Sequence, residues 1–499
     1  MEKQHALQQL EQLQKKLYAI HYACSAMNLD ADTVAPKNTS EGRGVALGVL
    51  AGEEQQLMIC PETRALLDEL DRQKDELDLL HRREVEELRR RCDQLTRIPA
   101  EEYIAYSELV NKAGDVWHKA KEKDDFAMFC PLLQELVEYN RKFAAYYDST
   151  RAPYDALLNE YERGVDTKML DEFFATLGQT IVPLLQKIAR KPQIDDSFLH
   201  NYYPVDKQKA FADYLMQVMG LDRGHCGLGE TEHPFTLEFN NKDVRITTNY
   251  DTRNVASSMY SVLHEGGHAL YELGIRDDLQ YTCLAGGVSM GVHESQSRFY
   301  ENILGRNPHF WTPIYEKMSA LLPEFKTVPF DTFIKAINDV HPSMIRTEAD
   351  EVTYGLHIIL RYEIEKAIFR DNVKTDDLPA LWNQKMQELL GITPANDAEG
   401  ILQDMHWSDG SFGYFPSYLL GSIYDGMYLE AIQKDLGDLD TVLENGRILD
   451  ITHWLKEKIH RFGSMYNSKE VIQRVCGKEI SAQPLLRYFE EKYSKVYEF

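Results

Sequence analysis

The segment His264-Glu265-Gly266-Gly267-His268 carries the most evident chemistry in this sequence. Two histidines four residues apart on a helix project their imidazoles from one face. Both ring nitrogens then reach one metal ion at about 2.0–2.1 Å, the usual Zn–N distance. Glu265 sits on the next rung, beside the ligands but pointing elsewhere, which suits a base acting on a water that the metal activates. The two intervening glycines cost a helix roughly 1 kcal/mol each relative to alanine. Their expected use is to let a backbone or a ligand come close.

Two imidazoles leave a catalytic metal short by one protein ligand, since such sites normally take three and keep one place for water. Glu272, His293, Glu294 and Glu301 are the candidates. Glu272 falls on the same helix, one turn beyond His268, and approaches from the wrong side. His293-Glu294-Ser295-Gln296 opens a second helical segment after the turn AGGVSMG. A ligand from a separate helix closes a tetrahedron well, and both neighbours remain open on spacing alone.

Stepping outward, residues 1 to about 190 read as a succession of helices. Leu7, Leu10, Leu13, Leu17 and Ile20 form one buried stripe. Residues 62–95 repeat that pattern with dense Glu/Arg pairing, as a helical hairpin or a lid would, although a solvated helix face whose ion pairs contribute little is the stronger expectation. Breaks are predicted at Ala35-Pro36-Lys37-Asn38, Ile98-Pro99 and Ala152-Pro153. Residues 222–234, rich in Gly and turn formers, read as loop. FTLEF, Asn240-Asn241-Lys242 and DVRITT then read as a β hairpin, whose edge strand beside the metal helix could hold an extended peptide by backbone pairing. The metal helix follows, with Gly274 as its predicted C-cap. From about 308 onward the chain is again helical, interrupted by a long loop containing QDMHWSDGSFGYFPSY. With no repeat or low-complexity linker, residues 1–499 are expected to form a single mainly α-helical domain. In it, residues 1–190 partly cover a deep groove and residues 191–499 form the catalytic part.

The chain has 499 residues, a formal net charge of −25 and a pI of about 5.1. Such a field repels phosphate backbones and argues against a nucleic-acid partner. The seven cysteines are scattered, without any CxxC pair, as in a reducing compartment. The N-terminus lacks an apolar core of the secretory type, and no run of 18 apolar residues suggests a membrane span. The expectation is a soluble cytoplasmic protein with no membrane partner.

Six elements, in order, resemble the carboxypeptidase Taq family of metallocarboxypeptidases. They are His233-Pro234-Phe235, Asp243 to Thr247, His264 to His268, His293 to Gln296, Ile345 to Asp350, and Gly400 to Trp407. Pro153 to Leu158 extends the similarity towards the N-terminus. One departure is Leu29-Asp30, where the family usually has Trp-Asp near the start of its second helix. The resemblance implies a cytosolic homodimer that removes single residues from peptide C-termini. It also implies a helical channel fold like that of neurolysin and angiotensin-converting enzyme. His264, His268 and Glu294 are implied as ligands of zinc, or cobalt in some members, with Glu265 as the catalytic carboxylate and His233 at the substrate. Related helical peptidases use a downstream histidine and tyrosine at the oxyanion. This points to His406 with Tyr414 or Tyr418, and Tyr418 has the closer spacing.

A carboxypeptidase must also hold a terminal carboxylate, for which the planar fork of arginine is suited. Arg346 is the first candidate and Arg245 the second. Their competing structural roles are buried pairs with Asp350 and Asp243, respectively. Two rival functions share part of this pattern. A neurolysin-type endopeptidase would share the metal site without needing a free C-terminus. A scaffold with a structural metal would normally close the site with four ligands, often cysteines, and Cys283 is too far along the chain to supply them.

Overall fold

The computed structural model describes residues 2–36 and 38–499. The N-terminal part contains α1 (Lys3–Thr33), α2 (Ser40–Ile59), α3 (Pro61–Arg72) and α4 (Leu79–Arg97). It continues through α5 (Ala100–Lys123), α6 (Phe126–Tyr147), α7 (Pro153–Tyr161) and α8 (Thr167–Ile188). Boundaries follow the prolines. Pro61 and Pro153 open α3 and α7, where a fixed φ and a missing N–H do no harm. Pro99 separates α4 from α5. The predicted break at 35–38 falls between α1 and α2, with Lys37 outside the described residues. Leu29 and Asp30 lie in the last turns of α1 rather than near the start of a second helix.

The stripe on α1 buries Leu10 and Leu13. Leu10 joins Leu66, Leu67, Leu70, Val85 and Leu88 in a small core of its own. Within residues 62–95, α3 packs against α4 through these leucines and Val85, so the segment is more than the solvated helix face that its charges suggest. A far larger core begins at Leu109 and runs to Tyr497.

After α9 (Val205–Met219) come β1 (Cys226–Glu230), β2 (Thr236–Asn240) and β3 (Asp243–Thr248). β2 and β3 form the predicted antiparallel hairpin, while β1 pairs with β3 in parallel on its other side. The Gly-rich segment read as loop therefore holds a strand. Its glycines serve close packing: a Cβ on Gly229 would lie 3.3 Å from Thr247 Cγ2, and one on Gly227 3.4 Å from Arg245 Cγ. β3 is central, and β1 and β2 are the two edge strands.

The metal helix is α10 (Val255–Gly274), followed by α11 (Met290–Arg298). α11 runs directly into a π-helical turn, Phe299–Leu304. Gly274 is the last helical residue rather than a left-handed cap; a Cβ there would meet His460 Cβ at 2.5 Å. Three short helices follow: α12 (Pro308–Trp311), α13 (Tyr315–Leu321) and α14 (Phe330–Ala336). The remainder comprises α15 (Thr353–Phe369), α16 (Leu378–Leu390), α17 (Phe415–Leu436), α18 (Leu439–Glu444), α19 (Ile448–Lys458), α20 (Ser468–Cys476) and α21 (Gln483–Tyr497). Among the described residues, no helix is long and apolar enough to cross a membrane.

Candidate metal centre and substrate groove

The glycines of the metal helix explain how a ligand from another helix arrives. A Cβ on Gly267 would lie 2.3 Å from Gln296 O and 2.8 Å from Ser297 Cα, so α10 and α11 touch backbone to backbone there. On the other side of α11, a Cβ on Gly421 of α17 would be 3.1 Å from Glu294 Cβ. Held between these two glycines, Glu294 turns its Oε2 towards both histidines. It lies 3.8 Å from His264 Nε2 and 3.6 Å from His268 Nε2. One donor atom from each of the three residues falls within 4.8 Å of the others. Bonds of about 2.0–2.1 Å at tetrahedral angles would place donors roughly 3.3 Å apart. The two imidazoles and the carboxylate therefore fit a divalent metal with only small closure.

The other three ligand candidates are also here, as the shell that orients these groups. Glu301 Oε2 accepts a hydrogen bond from His264 Nδ1 at 2.7 Å. His293 Nδ1 lies 2.6 Å from His268 Nδ1, and its Nε2 lies 2.8 Å from Glu272 Oε1. Arg298 Nε donates to Glu294 Oε1 at 2.7 Å. Burial works against a charge on Glu294, yet Arg298 and the two histidines hold its carboxyl well below the usual range. Glu301 is likewise held down to about 2, against burial, by Arg298 and His264.

Glu265 lies within the same groove, and burial raises its pKa. Thr236 of the edge strand donates its hydroxyl to Glu265 Oε2 at 2.6 Å. Sequence reasoning did not find Thr236; its place on the predicted edge strand was the available signal.

The groove has a volume of about 990 Å³. Its walls come from β2, α10, α11 and the start of α17, faced by Arg83, Arg90, Arg91 and Arg163 from the N-terminal helices and the segment after α7. These arginines are partly spent on one another's acids, with Glu87 accepting from Arg90, Arg91 and Arg163. Tyr414 and Tyr418 line the groove opposite the ligands. His406 Nε2 lies 3.2 Å from the Tyr418 hydroxyl, and burial lowers the pKa of His406 to about 4. His406 is neutral there.

The remaining sequence candidates lie outside the groove lining. Arg346 is buried behind Tyr418, with its guanidinium carbon 5.2 Å from that ring's centroid. Its Nη2 donates to Asp404 Oδ1 at 2.8 Å and its Nη1 to the Tyr354 hydroxyl at 3.2 Å. Arg361 takes the other oxygen of Asp404. Asp350 instead caps α15, accepting from the backbone N–H groups of Val352 and Thr353. Arg245 pairs with Asp243 at 2.9 Å and stacks on Phe239. His233 is exposed, next to the groove-lining Pro234 and Phe235.

Residues 9–493 match the family described as carboxypeptidase Taq (M32) metallopeptidase. The chain belongs to this family. Carboxypeptidase 1 of Bacillus subtilis is 44% identical over 96% of each chain. Thermostable carboxypeptidase 1 of Pyrococcus furiosus is 37% identical, again over 96% of each. Among solved structures, the M32 carboxypeptidase from Deinococcus radiodurans superposes with a TM-score of 0.96 at 30% identity, covering 99% of this chain and 100% of that one. The protein is a metallocarboxypeptidase, a peptide hydrolase that works from the C-terminus with a metal. These likenesses favour that activity over the neurolysin-type alternative.

Proposed function

We propose that His264, His268 and Glu294 hold a single zinc ion, with cobalt as an acceptable substitute, and that Glu265 is the general base. The observation that carries this reading is the convergence of two imidazole Nε2 atoms on one carboxylate, with Glu265 one residue from the first ligand. His/His/Glu donor sets accommodate both metals. Bound zinc supplies Lewis acidity, polarising the scissile carbonyl and lowering the pKa of a coordinated water towards about 7. Glu265 takes a proton from the attacking water and passes it to the leaving amine. Its raised pKa suits that exchange. The Tyr418 hydroxyl, beside neutral His406, donates to the developing oxyanion.

In this reading Arg346 recognises the terminal carboxylate after Tyr418, which covers its guanidinium in this structure, moves aside; Arg245 is second and His233 lies at the rim. The chain works as one unit of residues 1–499, its first 190 partly covering the groove. It acts as a homodimer in the cytoplasm on peptide substrates, without a nucleic-acid partner. The test is digestion of a peptide series by apoprotein reloaded with zinc or cobalt, followed by mass spectrometry. Stepwise loss of single C-terminal residues from free-acid peptides is expected. Internal cleavage of C-terminally amidated peptides at equal rates would refute it.

A further inference from the structure

Glu162 follows α7 and is 2% exposed. A carboxylate buried this deeply needs donors for its lone pairs, and this one has them from three elements. Its Oε1 accepts from the Ser289 hydroxyl at 2.9 Å and the Tyr424 hydroxyl at 3.2 Å, and also from Ser468 Oγ. Its Oε2 accepts from the backbone N–H of Gly291 at 3.0 Å. Ser289 is the N-cap of α11, accepting from Val292 N at 3.1 Å. Ser468 is the first residue of α20. The carboxylate thus sits at two helix N-termini, where a negative charge is favoured by the exposed N–H groups. The contact leaves no slack: a Cβ on Gly291 would fall 2.6 Å from Glu162 Oε2.

We infer that Glu162 is a positioning residue for the metal. By fixing Ser289 and Gly291 it sets the axial place and rotation of α11, and so where Glu294, three residues beyond Gly291, presents its carboxylate to His264 and His268. The inference rests on Glu294 being the third ligand. It gives residues before 190 a part in the metal centre that does not involve touching metal or substrate.

Glu365 provides an internal control. It is fully buried and accepts from Tyr154 OH, Trp407 Nε1 and Gly413 N at 2.7, 2.8 and 2.9 Å, none of which belongs to α11. Zinc dissociation constants would be measured by competition with a chromophoric chelator for Glu162→Gln, Ser289→Ala, Glu365→Gln and Glu294→Ala. Glu162→Gln puts an NH₂ where an acceptor is needed and should weaken zinc binding by about 10- to 100-fold, the range typical of outer-shell partners. Ser289→Ala should shift affinity in the same direction by less, and it carries the test if Glu162→Gln does not fold. Glu365→Gln should bind zinc like wild type, even with a lowered melting temperature. Equal weakening in Glu162→Gln and Glu365→Gln would overturn the inference, leaving general destabilisation. Loss of zinc in Glu294→Ala alone would overturn it while leaving the ligand reading intact. Zinc retained in Glu294→Ala would remove the ligand reading itself.

Discussion

His293 and His268 face each other through their Nδ1 atoms, 2.6 Å apart, so one must carry the proton and the other must accept it. The far side of His293 biases the choice. Its Nε2 lies 2.8 Å from Glu272 Oε1, an acceptor, and therefore carries a proton. Against burial, Glu272 raises the pKa of His293 and favours its charged form, so the proton between the two rings is shared. When His293 is neutral, its bare Nδ1 accepts from His268 Nδ1–H. His268 is then left with an unprotonated Nε2, the atom directed at Glu294. Burial above all pushes the pKa of His268 down to about 3 and keeps it uncharged. Glu301 accepts the Nδ1 proton of His264 and so fixes the orientation of that ring, leaving its Nε2 facing Glu294. In the proposed site, both imidazoles are thus oriented by partners outside the three candidate ligands.

Glu294→Ala should therefore strip the metal, whereas His293→Ala should loosen it without removing it. Losing the third ligand opens the site, while losing an orienting partner typically costs about 10- to 100-fold in affinity. Metal content after dialysis, read by atomic emission, ranks the two. The reverse order would give His293 the ligand's place.

Glu265→Gln should keep its metal and lose nearly all turnover, because the amide cannot accept the water's proton; general-base removal costs about 10²- to 10⁴-fold. A variant retaining more than about a tenth of the wild-type rate would exclude this role. Thr236→Val removes the hydrogen bond to Glu265 Oε2 and should lower kcat by a smaller factor at unchanged metal content.

Metal uptake should depend on pH through His264. Burial disfavours its charge, but Glu294 and Glu301 more than offset this in the metal-free protein and lift its pKa to about 9. Below about pH 9 an incoming ion must displace that proton. The logarithm of zinc affinity should thus rise by about one per pH unit up to pH 9 and then level off. Linkage gives a second sign. The folded pKa lies above the unfolded value of about 6.5, so the charged histidine stabilises the apoprotein below that pH, and the stability is lost as pH rises towards 9. Chelator-buffered titrations between pH 6 and 9 measure the slope; a flat line would show that His264 is already neutral.

What the sequence makes legible here is local. The i, i+4 histidines announce their helix because the 3.6-residue period places them together without any tertiary knowledge. Pro153 and Pro99 mark boundaries for an equally local reason. β1 stayed hidden because Gly227 and Gly229 resemble turn residues, and their purpose, packing beneath Arg245 and Thr247, exists only once the sheet has formed. Glu301 was weighed as a ligand and is instead an orienting group, placed by a π-helical turn that spacing on an ordinary helix does not anticipate. The structural alternative for Arg346 names nearby Asp350, but the acid it holds is Asp404, 58 residues away, because Asp350 accepts from the backbone at the start of α15.

That pairing sharpens the test of exopeptidase specificity. Asp404 lies between Arg346 and Arg361, so Arg346→Ala leaves the acid still bonded to Arg361 Nε at 2.6 Å and should leave the fold intact. In the proposed role, the guanidinium is uncovered by a shift of Tyr418 and meets the substrate carboxylate where little water remains and charge-assisted bonds are about twice as strong as neutral ones. Removing it strands a desolvated carboxylate at a cost on the order of 2–5 kcal/mol. At about 1.36 kcal/mol per decade, kcat/KM for a free-acid peptide should fall by about 30- to several-thousand-fold. An amidated analogue, which never makes the full contact, should lose far less. A purely structural Arg346, holding Tyr418 from behind, would instead damage both substrates alike, since Tyr418 would serve either. Rates on the two peptides, taken with metal content and melting temperature, separate these outcomes. Equal losses would assign Arg346 to the support of Tyr418 and pass the carboxylate role to another arginine, with Arg245 the first to be substituted.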